Sequence, residues 1–468
     1  MAEERKGAQV QSELSKRDIR FREESLNGSL WKVILSVGTP LALYHSLSML
    51  FKLLDTMMAS HISSTAVSSV AYLGQISIML SAIGSGLAIG SGIQISRAYG
   101  EGDYQTVKKR VSSLYAMVAL LGAVILAVLL PFVDGFLRLA GTPEELIAVG
   151  SQYFAVELVV IVIQMFNNVY ISVERARGNS KRILYLNFIV IGLKLSLTAY
   201  FVYVLQGDLV MISYASLISQ LSLFLFGVVS SLRGNRNAFG FSPKAVTIDR
   251  KVIAPMLGRS FPVMIEKLAF SLGKTMINAM SVMYGALTVG ALGVSNNFGG
   301  ITTGPQSGFQ EGGASVISQN IGAGKPERAI GAFWRVLIIN LVMGVIILAI
   351  TLYYLDPLAG LFDGDDPQFH DLIIHIFHFE AIGTLTLGIN ASVLSLLYGL
   401  GKTRVTLAIN FSRVFVFRVP VLWALQRFTS LGAESVGIVM MVSNVSVGVV
   451  AAVVAYVVIR NMRREMGT

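Results

Sequence analysis

The nineteen residues SGLAIGSGIQISRAYGEGD, Ser85 to Asp103, return 222 positions later as SGFQEGGASVISQNIGAGK, Ser307 to Lys325. Seven positions are identical: Ser85, Gly86, Gly90, Ile95, Ser96, Gly100 and Gly102 become Ser307, Gly308, Gly312, Ile317, Ser318, Gly322 and Gly324. Pro40 recurs at the same interval as Pro262. With a three-residue adjustment Thr56-Met57 matches Thr275-Met276, and Gly178 before Lys181-Arg182 resembles Gly399 before Lys402 to Arg404. A chain of 468 residues that repeats itself at this interval holds two copies of one unit.

Each copy is a membrane unit. Apolar residues make up 54% of the chain and charged ones 14%, mean hydropathy is +0.66 and there is no cysteine, which excludes a soluble enzyme and a thiolate metal site or nucleophile. A bilayer core of about 30 Å needs roughly 20 apolar helical residues per crossing. Twelve stretches meet that need: 31–58, 67–96, 111–133, 147–173, 183–206, 210–232, 253–284, 286–319, 330–355, 370–398, 405–426 and 434–459. Strands are excluded because ILAVLL, Ile125 to Leu130, and GVIILAI, Gly344 to Ile350, lack the alternation of a barrel.

Basic residues follow the alternation of the loops. With the N-terminus cytoplasmic, 29 lie in cytoplasmic segments, two (Arg138 and Arg427) in external loops and six within spans. Net charge divides as +17, −8 and +1 over those three places, so the overall +10 is a topology signal and not a nucleic-acid footprint. The expected fold is an all-α polytopic membrane protein of twelve transmembrane helices in two pseudo-symmetric six-helix lobes. Residues 1–30 form an uncleaved, partly helical cytoplasmic leader, 31–232 the N-lobe, 233–252 a linker, 253–460 the C-lobe and 461–468 the tail. Both termini are cytoplasmic in this reading, in a multi-pass protein of the cell (inner) membrane.

An even number of spans per copy makes these parallel repeats, an arrangement common among transporters. The glycine-rich stretches Gly84 to Gly102 and Gly304 to Gly324 have no strand before them and no Gly-Lys-Ser, so they are not phosphate loops. Close helix packing through small residues, including Gly86-x3-Gly90, is the plain reading, with bending during transport as the alternative.

Charges within the spans are costly, on the order of 3 kcal/mol each on an isolated helix, so they need partners or water. The first span carries His45, Ser48, Lys52 and Asp55 on one stripe, where Lys52 and Asp55 either pair or serve an ion or substrate. The seventh carries Lys267, Ser271, Lys274 and Asn278, with Glu266 to one side; Glu266 titrates, pairs with Lys267 or contacts substrate, and position does not choose. Lys194, Glu311 and Glu380 are single charges of the fifth, eighth and tenth spans. Arg413 and Arg418, five residues apart, belong on different faces of the eleventh, with Asn410 one turn from Arg413. The histidines 370, 375 and 378 lack a zinc spacing and read as structural.

Pro40 followed fifteen residues later by Asp55-Thr56-Met57-Met58, ISRAYGEGD at 95–103, ISQNIGAGK at 317–325, RARGNSKR at 175–182 and YGLGKTR at 398–404 together resemble the multidrug and toxic compound extrusion (MATE) family. The resemblance implies a V-shaped pair of lobes that alternates between outward and inward access and exports amphipathic small molecules in exchange for H+ or Na+. It implies a coupling site at Asp55, where Na+ is possible, and more weakly at Glu266. His45, Lys52, Lys194, Lys267, Lys274, Asn278, Glu311, Glu380 and Arg413 are candidates for the substrate cleft. Lys194 and Thr198 stand where many members carry Asn and Asp, and Leu387 where some carry an acid, so the carboxylate set is incomplete; a lysine near Asp55 would compete with Na+ for the carboxylate, which favours H+ coupling or a substrate bearing negative charge. An interior near +1 also departs from a cleft built for organic cations. The alternative is a lipid-linked saccharide flippase of the same superfamily; a membrane-embedded enzyme or receptor would need a catalytic constellation that the chain lacks. No cofactor beyond the coupling ion, no nucleic acid, and a monomer with the bilayer and a small amphipathic substrate as its partners complete the expectation.

Overall fold

The computed structural model describes residues 14–59, 64–234, 237–362 and 366–467, with residues 50–59, 64–71, 145 and 149 described by their backbone alone. A short helix, α1 (Lys16–Asn27), precedes the first repeat, which runs α2 (Leu30–Ala59), α3 (Ser64–Glu101), α4 (Tyr104–Leu129), α5 (Val133–Leu139), α6 (Glu144–Ala176), α7 (Ser180–Ala199) and α8 (Leu209–Arg233). The second runs α9 (Arg250–Ser281), α10 (Ala286–Gly322), α11 (Pro326–Tyr353), α12 (Leu355–Ala359), α13 (Pro367–Gly399), α14 (Thr403–Phe415), α15 (Val419–Phe428) and α16 (Glu434–Met466).

Each of the twelve expected spans falls on a helix, and the short α5 and α12 occupy equivalent places in the two repeats. Among the described residues, nine helical segments are long and apolar enough to cross a bilayer. The other three expected spans are α2, α9 and α10, with 30, 32 and 37 residues. At 1.5 Å per residue, roughly 45 Å or more each, they are also long enough to cross. The eleventh span is not one helix: it is interrupted between Phe415 and Val419.

Two glycines that end helices correct the alignment of the repeats. Gly178 has φ +74° two residues beyond α6, and the residue with the same conformation two beyond α13 is Gly401, φ +74°, not Gly399. Gly399 is the last residue of its helix, and its Cβ would lie 2.4 Å from the Ile317 side chain. The repeat interval is thus 223 there, one more than at Gly102 and Gly324, which are also left-handed (φ +80° and +69°).

The chain forms two compact units, and these are not the two halves of the sequence. Of the described residues, unit 1 comprises those in 14–27 and 50–267 and unit 2 those in 28–49 and 268–467. Each repeat therefore contributes the first half of its first long helix to the unit built from the other. The glycines of the opening motif explain this. In unit 1 a Cβ on Gly86 would lie 2.7 Å from the backbone of Met264 in α9, and one on Gly90 would lie 2.4 Å from Ser260 Cα. In unit 2 a Cβ on Gly308 would lie 2.2 Å from the Ala42 nitrogen in α2, and one on Gly312 would lie 3.2 Å from Gly38 Cα. Adding 222 converts one set of pairs into the other. The packing reading of these glycines is the one realised: without side chains the backbones meet directly, and van der Waals contact holds helices that share an apolar solvent.

Each unit closes around its own core. In unit 1, Ile95, Ala98, Tyr99, Val107, Val111 and Leu114 of α3 and α4 pack with Val169 and Val173 of α6. In unit 2, Leu292, Phe298, Phe377, Val436 and Val439 bring α10, α13 and α16 together. The leader helix α1 is seated on unit 1 by a buried polar cluster. Asp18, 0% exposed, accepts from Arg177 Nε (2.8 Å) and Nη2 (3.0 Å), from Asn237 Nδ2 (3.0 Å) and from Ser15 Oγ (2.5 Å). Arg22 of α1 donates to the carbonyls of Tyr99 and Gly100 at 3.0 and 2.9 Å, satisfying C-terminal acceptors of α3 that the helix leaves open. Burial pushes the Asp18 carboxyl up, but the Arg177 charge and the bonds to it outweigh that and hold it below its ordinary value of 3.8.

Two expectations follow. Gly90→Ala and Gly308→Ala should each cost about 1–3 kcal/mol through overpacking, whereas Gly192→Ala, with open space at its Cβ, should be neutral. Thermal unfolding of the detergent-solubilised protein checks this, and equal effects at all three sites would refute it. For Asp18→Asn, removing a buried partner should lower stability by about 3 kcal/mol at pH 7. Because the folded carboxyl is depressed, its contribution is full above the unfolded value and is lost as pH falls through the folded one, so the gap between wild type and variant should hold from pH 7 to about pH 4 and narrow only below it. Midpoints followed from pH 7 to 2.5 show where the gap narrows.

Candidate functional site

Asp55 and Lys52, the first-span residues most expected to carry function, have side chains outside the described residues. Two turns before Lys52, His45 is half-buried in unit 2, with Nε2 3.7 Å from Glu311 Oε1. Two candidate residues of different spans thus meet, joining α2 to α10. Glu266 is buried at 6% exposure in unit 1, and Lys267 beside it is half-buried. The rest of the expected α9 stripe does not face one environment: Ser271 is buried, while Lys274 and Asn278 are exposed on unit 2. All three belong to unit 2, whereas Lys267 closes the part of α9 that belongs to unit 1. Lys194 is half-buried on α7.

A further polar cluster lies inside unit 2, around the interruption of the eleventh span. Glu380 of α13 is 5% exposed, and its Oε2 accepts from Ser295 Oγ of α10 at 2.5 Å. Arg418, Lys274 and Arg413 all act on it electrostatically. A five-residue interval separates Arg413 and Arg418 on a continuous helix, yet the two guanidiniums converge. Arg413 Nη2 donates to Asn444 Oδ1 of α16 at 2.7 Å, and Arg418 Nη2 donates to the same oxygen at 3.2 Å. Arg418 Nε donates to Ser443 Oγ at 3.0 Å. The expectation of different faces fails because the helix stops at Phe415 and restarts at Val419, with Pro420 in the first turn of α15. Proline has no amide hydrogen and suits a first turn, so it favours a restart there.

Asn444 is held in turn by its surroundings. The Cβ of any residue at Gly383 would lie 2.5 Å from Asn444 Cβ, and Thr386 Oγ1 donates to the Asn444 carbonyl at 2.8 Å. Asn410 contributes too, accepting from Asn390 Nδ2 at 3.4 Å. Sequence reasoning counted the charge of Arg418 but did not place it in the site, and it passed over Ser295, Ser443 and Asn444. The signal for the last two was present: Ser443-Asn444 is a polar pair inside the apolar run VMMVSNVSVGVV, Val439 to Val450. In a membrane helix such a pair calls for a partner on another helix.

The histidines 370, 375 and 378 stand apart from this cluster. His370 Nε2 lies 3.2 Å from Asp356, and His375 Nδ1 lies 2.8 Å from the Asp371 carbonyl. Among the described residues no three His, Asp or Glu side chains gather as metal ligands. Unit 1 contains a cavity of about 220 Å³ lined by Tyr115, Phe166, Phe224 and Phe241 among others, and none of the expected site residues lines it.

The comparisons with known proteins bear on this architecture. The MatE family profile matches twice, over residues 40–200 and 262–424, one match per repeat and both starting at the repeated proline. The chain is 22% identical over 412 residues to the probable multidrug resistance protein YoeA of Bacillus subtilis, covering 86% of this chain and 88% of that protein. It is 23% identical over 411 residues to the probable multidrug resistance protein NorM of Thermotoga maritima, covering 86% and 87%. A solved structure of a multidrug resistance MATE family transporter of the MOP superfamily, in an outward-facing conformation, superposes with a TM-score of 0.90 at 20% identity, covering 96% of this chain and 99% of that one. Such structures have twelve helices in two lobes, the fold expected from the sequence. With its two profile matches spanning more than half its length, the chain belongs to the MatE family of multi-pass membrane transporters.

Proposed function

We propose that this protein is a secondary active antiporter that exports amphipathic small molecules across the cell membrane in exchange for H+, by alternating access. Family membership is the observation that carries the reading, and the names of the relatives in Bacillus subtilis and Thermotoga maritima, both multidrug resistance proteins, supply the substrate breadth. The ionisable groups set in the spans supply the coupling. A carboxylate kept at membrane depth is a natural proton carrier, because its protonation removes the charge that the bilayer penalises.

H+ is preferred to Na+ on the chemistry of the described acids. Glu380 already accepts a hydroxyl and stands among three cations, and Glu311 stands beside His45. Sodium would need those oxygens with their donors and cations displaced. Asp55 is the coupling residue assigned by the family motif, with buried Glu266 as the second member. The protein works as a monomer with both termini in the cytoplasm, an orientation supported by the 29 basic residues on that side against two on the other.

Uptake of a fluorescent amphiphile into proteoliposomes under imposed gradients tests this. A pH gradient should drive wild-type transport and a Na+ gradient should not. Asp55→Asn should lower gradient-driven transport at least tenfold, and Glu266→Gln should lower it severalfold. Full transport by Asp55→Asn, or drive by Na+ alone, would contradict the assignment. Orientation is checked separately: the chain has no cysteine, so a single cysteine at Ser242 should react with an impermeant maleimide in everted vesicles and not in intact cells.

A further inference from the structure

We infer that Arg97, Arg110 and Arg259, three arginines of unit 1, form a binding site for a phosphate group carried as a monoester or diester. The site holds none of the residues on which the export reading rests, so the two stand or fall separately.

The contact between α3 and α9 brings the three together. Gly86 meets Met264 and Gly90 meets Ser260, so the two helices run antiparallel, and one turn further along Gln94 comes level with Met256. Arg110 of α4 donates through Nη1 to the Gln94 carbonyl, and Arg259 of α9 donates through Nη1 to the Pro255 carbonyl at 3.1 Å. Two guanidiniums are thus held at nearly the same level of facing helices. Arg97 follows Gly86 by eleven residues, three turns to within about 20°, so it continues the face of α3 that meets α9. Each of the three acts electrostatically on the others: Arg97 and Arg259 on Arg110, and Arg97 on Arg259.

Charge balance calls for an anion. Glu101 and Asp103 are the carboxylates that act on Arg110; Glu101 pairs with Arg97 at 3.3 Å, and Asp103 caps α4 by accepting from the Thr106 amide at 3.0 Å. Both acids are exposed, where water screens them. Among the described residues no carboxylate acts on Arg259, and the charges that reach it are those of Arg97 and Arg110.

Open donors lie in the same place. Arg110 Nε, Arg259 Nε and Gln94 Nε2 are buried and make no hydrogen bond among the described residues. Buried N–H groups on three helices need an acceptor, and a phosphate, with several oxygens and a negative charge, suits guanidiniums in geometry and in charge. Arg97 and Arg259 are half-buried and stand at the entrance, while Arg110, 9% exposed, forms the floor.

Neither sidedness nor packing accounts for the triad. A topology signal needs positive charge in a loop, not guanidiniums with buried Nε groups. The fold does not require them either: 222 residues on, Arg97 and Arg110 become Gln319 and Ala332, and Val37 stands 222 before Arg259. Unit 2 closes the equivalent glycine contact with no charge at those three positions. Basic pockets between membrane helices on the cytoplasmic side are places where lipid phosphates bind, and the loop joining α3 to α4 belongs to the side rich in Lys and Arg.

The test is equilibrium binding to the full chain in dodecylmaltoside micelles, with radiolabelled dioctanoylphosphatidylglycerol and glycerol 3-phosphate as probes and dioctanoylglycerol, which lacks the phosphate, as their comparison. At least one phosphate probe should bind wild type at least tenfold more tightly than dioctanoylglycerol. Arg259→Gln should weaken that binding at least tenfold and Arg97→Gln about fivefold, while Arg138→Gln, in α5 and paired with Glu144, leaves it unchanged. Arg97 forms an exposed pair with Glu101, so its variant keeps the fold and the test stands even where Arg259→Gln unfolds. Glycerol 3-phosphate separates two sources of the same chemistry. Its competition with the lipid supports a soluble phosphate ester as the occupant, and no competition with phosphatidylglycerol binding intact supports a lipid phosphate. Binding of neither phosphate probe above dioctanoylglycerol, or phosphate affinity unaltered by Arg97→Gln, would overturn the inference.

Discussion

Direct backbone contact at four glycines is the constraint on which this structure depends. Gly86 and Gly90 admit the α9 backbone at Met264 and Ser260, and Gly308 and Gly312 admit α2 at Ala42 and Gly38. In water such helices would be driven together by apolar burial, but in a bilayer the lipid tails compete equally for apolar faces. Shape then decides, and a helix face without Cβ atoms offers the closest fit. The consequence is an exchange: each repeat lends the first half of its first long helix to the unit built from the other repeat. Pro40 and Pro262 sit inside these exchanged halves, at residues whose missing N–H loosens the helix ladder next to the contact.

The exchange also explains where the charges go. Within α9, Glu266 belongs to unit 1 and Lys274 to unit 2, so residues that share a helix take part in different interiors. His45 of α2 reaches Glu311 of α10 because residues 28–49 pack in unit 2. The interior of that unit is organised by Asn444, a neutral side chain that receives two guanidiniums, and by Glu380, which is held by Ser295. A neutral acceptor shared by both guanidiniums lets the two arginines approach each other.

Much of this was legible in the sequence. The 222-residue interval, the twelve apolar stretches and the sidedness of lysine and arginine specify helices, their number and the two copies. Hydropathy and charge are local quantities that survive without coordinates. Gly86-x3-Gly90 also announced close packing, but not its partner, because a glycine face records that something approaches and not which helix does so. For the same reason the sequence halves differ from the packed units. The misplacement of Arg418 has another cause. A spacing of five residues was read on a continuous helix, and the stop at Phe415 changed the direction of both side chains. Pro420 marked the irregularity without fixing its geometry. Asn444 escaped notice because asparagine carries no charge, although its two polar atoms inside an apolar helix demand partners as a charge would.

The reciprocal exchange is the central claim, and oxidative cross-linking tests it most directly. Ser91 Oγ of α3 and Ser260 Oγ of α9 are 3.3 Å apart in unit 1, and the chain has no native cysteine to interfere. In membranes, the double variant Ser91→Cys with Ser260→Cys should form an intramolecular disulfide rapidly, seen as loss of maleimide labelling that a reductant restores. Persistent labelling of both cysteines under oxidising conditions would mean that α9 does not pack on the glycine face of α3, and the exchange of helices between the repeats would be wrong.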